Sequence, residues 1–313
     1  MFRYPFASTL STTSGLKKRM DYSLVLKGLG YFPYGLSAEL AFWRGKALLH
    51  NYSEVFEEIK ENLKTVFTDW DDQMLFLEAK KIFEYASLEE AEGARIALKR
   101  GKYLEKWVKI SGLEHLHQAV SMGKGVIITF LHMGSFASVL CRLGQILPVP
   151  IHAIAWPYQE CPCPVFRSFI HKKVEGMSGF MKGRFFFVGQ IPVKELYSAL
   201  DHNEMLVILI DAPIGKSARV EVNFLKKKGR FPLSAFKIAA RKGIPVLPIA
   251  VYRKDGDLTI RADILTPHSV ESPADCQRVF QSVLSNLESY IYRYPAQFFY
   301  WTSPTSWRTI DTI

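Results

Sequence analysis

The residue with the most chemical promise is His132. It follows the apolar run Gly125-Val126-Ile127-Ile128-Thr129-Phe130-Leu131 and precedes Met133-Gly134-Ser135-Phe136. An imidazole titrates near neutrality, so at the mouth of a buried strand it can take a proton from a hydroxyl or amine and return it later. Gly134 allows a substrate or another stretch of backbone to come close. Ser135 and Ser138 offer hydroxyls to a substrate, although small hydroxyls after a strand commonly cap the helix that follows. A working base needs a partner on its second ring nitrogen to fix the tautomer and stabilise the imidazolium. Asp211, which ends the run Leu206-Val207-Ile208-Leu209-Ile210 and opens the turn Asp211-Ala212-Pro213-Ile214-Gly215-Lys216, is the best candidate. His132 as a hydrogen-bonded structural residue and Asp211 as a turn cap remain an equal alternative on residue types alone.

The elements that must position these groups follow from the hydrophobic pattern. Short apolar runs at 126–131, 151–155, 185–188, 206–210, 246–251 and 258–264 read as strands, several of them apolar on both faces as a covered sheet requires. Stretches 166–173, 193–202 and 233–242 read as helices between them. Pro232 suits the first turn of the last helix and Gly243 suits its C-terminal stop. Alternation of this kind implies an α/β layered fold with a largely parallel central sheet flanked by helices. In such sheets functional residues collect where strands end and helices begin, which is where His132 and Asp211 fall. Before the sheet, Val55, Ile59, Leu63 and Phe67 recur at helical spacing, and 87–119 reads as a second helical stretch. Val279, Val283, Leu287 and Ile291 describe a C-terminal amphipathic helix. The organisation expected is a membrane-facing N-terminal segment, 1–52, and a single domain, 53–313, made of a helical lead (53–120), then the sheet core and C-terminal helix (121–313).

Composition narrows the partners. A net charge of +10 draws the chain toward polyanions, meaning nucleic acid, anionic lipid or an acidic carrier protein. No zinc-finger spacing, RNP-like aromatic consensus or basic zipper accompanies the charge, so nucleic acid is not expected as a partner. The apolar surplus favours a membrane surface. Stretch 24–43 has nearly the length of a spanning helix but carries Lys27, Glu39, Pro33 and three glycines. It reads better as an interfacial segment, with Lys17, Lys18 and Arg19 before it, and the expected location is the cytoplasmic face of a membrane, peripheral or held by a single N-terminal anchor. Cys141, Cys161, Cys163 and Cys276 form no disulfide framework. Cys161 and Cys163 with His152 and His171 match no defensible metal spacing, so no metal is expected.

The order of features from 55 to 308 resembles the lysophospholipid-acyltransferase superfamily, and within it the bacterial lipid A biosynthesis (late) acyltransferases. The segments that carry the likeness are Asn62-Leu63, the strand and histidine of 125–138, 206–211, Val222-Asn223-Phe224 with its basic turn, 235–249, and Tyr294-Pro295-Ala296-Gln297-Phe298-Phe299-Tyr300-Trp301. The resemblance implies an acyltransferase that uses no cofactor. Its donor would be an acyl or aminoacyl carrier protein or acyl-CoA, its acceptor an anionic membrane glycolipid such as lipid A, and it would work as a monomer. It also implies that His132 is the base and that residue 137 should be its supporting carboxylate, because family members carry Asp or Glu five positions after the histidine. Here that position is Ala137. Three readings follow: Asp211 supplies the charge, the reaction needs weaker activation, or catalysis has been lost. Divergent members that transfer glycyl groups also depart from the motif. Lys172 falls about where related enzymes carry a binding arginine. Lys228 and Arg230, within Lys226-Lys227-Lys228-Gly229-Arg230 just before a helix start, are candidates for holding phosphate.

Overall fold

A computed structural model describes residues 20–190, 193–211 and 219–302. Lys17, Lys18, Arg19 and the turn residues 212–216, singled out in the sequence, lie outside the described residues.

A mixed seven-stranded sheet forms the centre. Its strands are β1 (Val108–Ser111), β2 (Val126–Phe130), β3 (Ile151–Ala155), β4 (Phe185–Phe187), β5 (Met205–Leu209), β8 (Val246–Tyr252) and β9 (Ile260–Ile264), in the spatial order β1-β9-β8-β2-β5-β3-β4. All neighbours are parallel except β8 and β9. Two further strands, β6 (Arg219–Phe224) and β7 (Lys227–Pro232), form a separate antiparallel hairpin. The helices are α1 (Leu26–Tyr31), α2 (Tyr34–Leu49), α3 (Ser53–Val66), α4 (Asp72–Ala97), α5 (Lys102–Trp107), α6 (Leu113–Ser121), α7 (Phe136–Ile146), α8 (Pro164–Met181), α9 (Val193–Asp201), α10 (Ser234–Lys242) and α11 (Cys276–Arg293).

The expected α/β layering is present, and its cause is visible in β2. Every residue of that strand is buried, with Ile127 in the core on one face and Val126, Ile128 and Phe130 in the core on the other. Alternating residues thus feed both layers, which is why the strand carries no polar stripe. On the first face, α11 contributes Val279, Val283, Leu287 and Ile291, as its periodicity predicts. On the second, α7 and α8 supply Val139, Leu140, Leu143 and Met177. Gly243 closes α10 with φ +61°, as expected for a left-handed C-terminal stop.

Three sequence expectations need correction. The helical lead 53–120 contains a strand, β1, because Val108 and Ile110 pair with Ile260 and Ala262 at the sheet edge. Pro232 ends β7 and does not begin α10, which starts at Ser234. Segment 222–230 is a β-hairpin with its turn at Leu225 and Lys226, both at positive φ, so Lys227, Lys228 and Arg230 lie on a strand and not just before a helix start. The N-terminal stretch is broken at Phe32 and Pro33 into α1 and α2. Among the described residues no helix is long and apolar enough to cross a membrane.

Candidate active site

β2 and β5 are parallel neighbours with Phe130 opposite Leu209. Continuing both strands two residues further sets His132 opposite Asp211, so sheet register alone makes them partners. The side chains complete the pairing: His132 Nδ1 lies 2.7 Å from Asp211 Oδ1, and the His132 backbone N–H donates to Asp211 Oδ2 at 2.6 Å. An ionised carboxylate only accepts, so with Asp211 ionised this contact places the ring proton on Nδ1. Asp211 is fully buried and the imidazole is 13% exposed. Two aromatic rings hold the imidazole edge-on, Tyr300 at 4.9 Å between centroids and Phe136 at 5.8 Å. Burial, with the Asp211 carboxylate adding to it, pushes the Tyr300 phenol well above its ordinary range.

The backbone around His132 is clamped by the C-terminal segment. Phe299 N–H donates to His132 O at 2.9 Å, Met133 bridges Phe298, and Gly134 N–H donates to Gln297 O at 2.9 Å. Gly134 is required here because its φ is +58° and an added Cβ would lie 2.7 Å from the Val251 carbonyl oxygen. Of the two approaches the sequence allowed, a substrate or a backbone, it is a backbone that comes close. The Gly134 N–H is committed to Gln297, which corrects its expected part in substrate contact.

Ser135 and Ser138 also depart from expectation. They are 2% and 1% exposed, and neither side chain caps α7 or faces outward. Ser135 Oγ donates to Glu92 and accepts from Arg253 Nη1, and Ser138 shares a hydrogen bond of 2.9 Å with Tyr103. Ala137, at the position where the resemblance asks for a carboxylate, is 3% exposed and packed in the second core.

The basic candidates sit on other elements. Lys172 is exposed on α8, while its neighbour Lys173 is buried and ion-paired with Glu89. Lys228 and Arg230 are exposed on β7, where Lys228 pairs with Glu221 at 2.9 Å and Arg230 is the register partner of the same residue. None of these three is on β2 or β5, the strands whose ends carry His132 and Asp211. The candidate metal residues are also dispersed: His152 pairs with Glu204 at 2.7 Å, and His171 bonds Tyr158 at 2.6 Å.

Sequence reading missed Glu92, Arg253, Gln297 and Tyr300. A signal existed for the first. In α4, Glu92 lies four residues from both Leu88 and Ile96, which are buried, so a carboxylate occupies a position where the helical period asks for an apolar residue.

The family model for bacterial lipid A biosynthesis acyltransferases matches residues 18–304. The chain belongs to that family. The coarse chemistry is thereby lipid acyl transfer, and the missing motif carboxylate becomes a departure within the bacterial lipid A biosynthesis acyltransferases. Among solved structures, the chain is similar to the crystal structure of the 1-acyl-sn-glycerophosphate acyltransferase from Thermotoga maritima. Identity is 14%, covering 83% of this chain and 96% of that one, with a TM-score of 0.39. Comparison with curated proteins gives no match.

Proposed function

We propose that the chain transfers an acyl or aminoacyl group from a carrier thioester to a hydroxyl or amine of an anionic membrane glycolipid such as lipid A. His132 is the general base and Asp211 its orienting carboxylate. The observation that carries this reading is the hydrogen bond from His132 Nδ1 to buried Asp211 at the end of neighbouring parallel strands. With Nδ1–H held there, Nε2 takes the proton as the acceptor oxygen or nitrogen attacks the thioester carbonyl carbon. The tetrahedral intermediate then collapses with cleavage of the C–S bond, and the imidazolium returns its proton to the departing thiolate. Asp211 stabilises the imidazolium in between.

The N-terminal helices support a membrane-surface setting. Tyr31, Phe32, Leu36, Leu40 and Trp43 are all exposed, and residues 36, 40 and 43 share one face of α2. The opposite face, with Ala38 and Ala41, packs into the core beside α4. An exposed apolar stripe of this kind fits an interfacial helix, and Lys172, Lys228 and Arg230 would favour anionic headgroups.

His132→Ala tests the assignment in two ways. Mass spectrometry of membrane glycolipids from cells expressing the wild type or the variant reads both product and dependence. A long-chain mass gain identifies acyl transfer, and a glycine-sized gain identifies aminoacyl transfer. A modification unchanged by His132→Ala, in cells and with purified protein, would remove His132 as the base.

A further inference from the structure

Behind the candidate site lies a buried ionic network that the proposed chemistry does not use. Arg253 follows β8 directly and is 2% exposed, and its guanidinium is ion-paired with Glu92 of α4, also 2% exposed. The remaining donors of Arg253 are distributed with little waste. Nη1 donates to Ser135 Oγ at 2.9 Å, Nη2 to the Tyr34 hydroxyl at 3.1 Å, and Nε to Leu258 O at 3.3 Å. Glu92 is equally engaged: Tyr34 donates to its Oε1 at 2.5 Å, and Ser135 donates to its Oε2. Burial alone would lower the Arg253 pKa, but the Glu92 carboxylate and the Tyr34 oxygen more than offset it and hold the guanidinium charged.

The backbone of residue 253 makes a second connection. Its N–H donates to Gln297 Oε1 at 2.8 Å and its C=O accepts from Gln297 Nε2 at 2.8 Å, a closed pair of bonds. Gln297 O in turn accepts the Gly134 N–H. Residue 253 thus reaches the turn after His132 twice, through its side chain to Ser135 and through Gln297 to Gly134. Stability does not require such an arrangement, since a buried ion pair is often no more stabilising than apolar residues of the same volume. A fully satisfied buried network does fix geometry.

We propose that Glu92 and Arg253 are positioning residues for His132, acting through Ser135 and Gln297 to hold the imidazole on Asp211. Tyr34 brings α2 into the same network, so the helix with the exposed apolar stripe also buttresses the base. The proposal rests on His132 being the base, and the experiment separates the two claims.

The informative variant is Ser135→Ala, which deletes the hydroxyl that ties Glu92 and Arg253 to the turn after His132 and adds no bulk. Full-length 15N-labelled protein reports on the His132 imidazole without any substrate. Wild type should show the Nδ1–H form, and Ser135→Ala should show altered ring shifts with a mixture of tautomers. With a fatty-acyl carrier-protein thioester as donor and detergent-dispersed lipid A as acceptor, kcat should fall on the order of ten- to a hundredfold at nearly constant KM. In a His132→Ala background the same substitution should have no further effect, because there is no imidazole left to position. Unchanged ring shifts in Ser135→Ala overturn the positioning claim, as does an equal loss of rate with and without His132. Full activity of His132→Ala alone would instead remove the base assignment, while the ring shifts still report whether the network orients the imidazole.

Discussion

Asp211→Asn discriminates sharply because Asp211 accepts two hydrogen bonds from one residue. Its Oδ1 takes the His132 Nδ1–H and its Oδ2 takes the His132 backbone N–H. An asparagine side chain keeps one acceptor oxygen and gains an NH2 donor. If the oxygen faces the ring, the NH2 confronts the buried backbone N–H, and leaving that donor unsatisfied costs about 1–3 kcal/mol. If the oxygen faces the backbone, the NH2 donates to Nδ1 and both contacts survive. The ring must then carry its proton on Nε2, the nitrogen that should act as base. The backbone contact therefore drives the variant into the inactive tautomer, by about one to two powers of ten at 1.4 kcal/mol per tenfold. Loss of the charge that stabilises the imidazolium adds to this, and in a serine protease triad the corresponding change costs about 10⁴ in kcat. The expected result is a kcat reduced by about 10³–10⁴ with binding little changed, since both hydrogen bonds persist and the fold is disturbed only slightly. Steady-state transfer with purified protein measures the first, and nitrogen shifts of His132 report the tautomer. Turnover within tenfold of wild type, or a persistent Nδ1–H ring, would refute the reasoning.

Two further outcomes follow from the same geometry. Ala137→Glu restores the motif residue in sequence but places a carboxyl in an apolar core where Ala137 is 3% exposed. It should destabilise by about 3 kcal/mol or more in a thermal melt and should not restore turnover to Asp211→Asn, so rescue would show that position 137 can reach His132. Replacing Leu40 and Trp43 together with Glu removes two exposed apolar side chains, each worth about 1.5–3 kcal/mol when buried. Affinity for vesicles containing anionic lipid should drop on the order of a hundredfold or more, with an unchanged melting temperature, whereas undiminished vesicle binding would take the membrane away from this face.

Local pattern determined a good deal about this protein. Apolar runs announced β2, β3, β5 and β8, broken only by Thr129 and His152 in the first two, because strands covered on both faces need few polar residues. Histidine at the end of one such run and aspartate at the end of another marked the sheet edge as the place to look. The hairpin β6–β7 was harder to read, since its turn uses Leu225 and Lys226 at positive φ and not the usual glycine or asparagine. β1 was hidden because four edge residues between two helices carry little period of their own.

What the sequence could not decide was which carboxylate pairs with His132. The two residues are far apart along the chain, and only the order β8-β2-β5 and the register Phe130–Leu209 make them neighbours. Ala137 leaves the usual local partner missing, while a partner on the adjacent strand is invisible to any spacing rule. The same holds for Glu92, Arg253 and Gln297, drawn from a helix, a strand end and a C-terminal segment that meet only in the folded core. Strand periodicity is a property of a few consecutive residues. Hydrogen-bond partners across a sheet are set by packing of the whole chain, and that is where His132 meets Asp211.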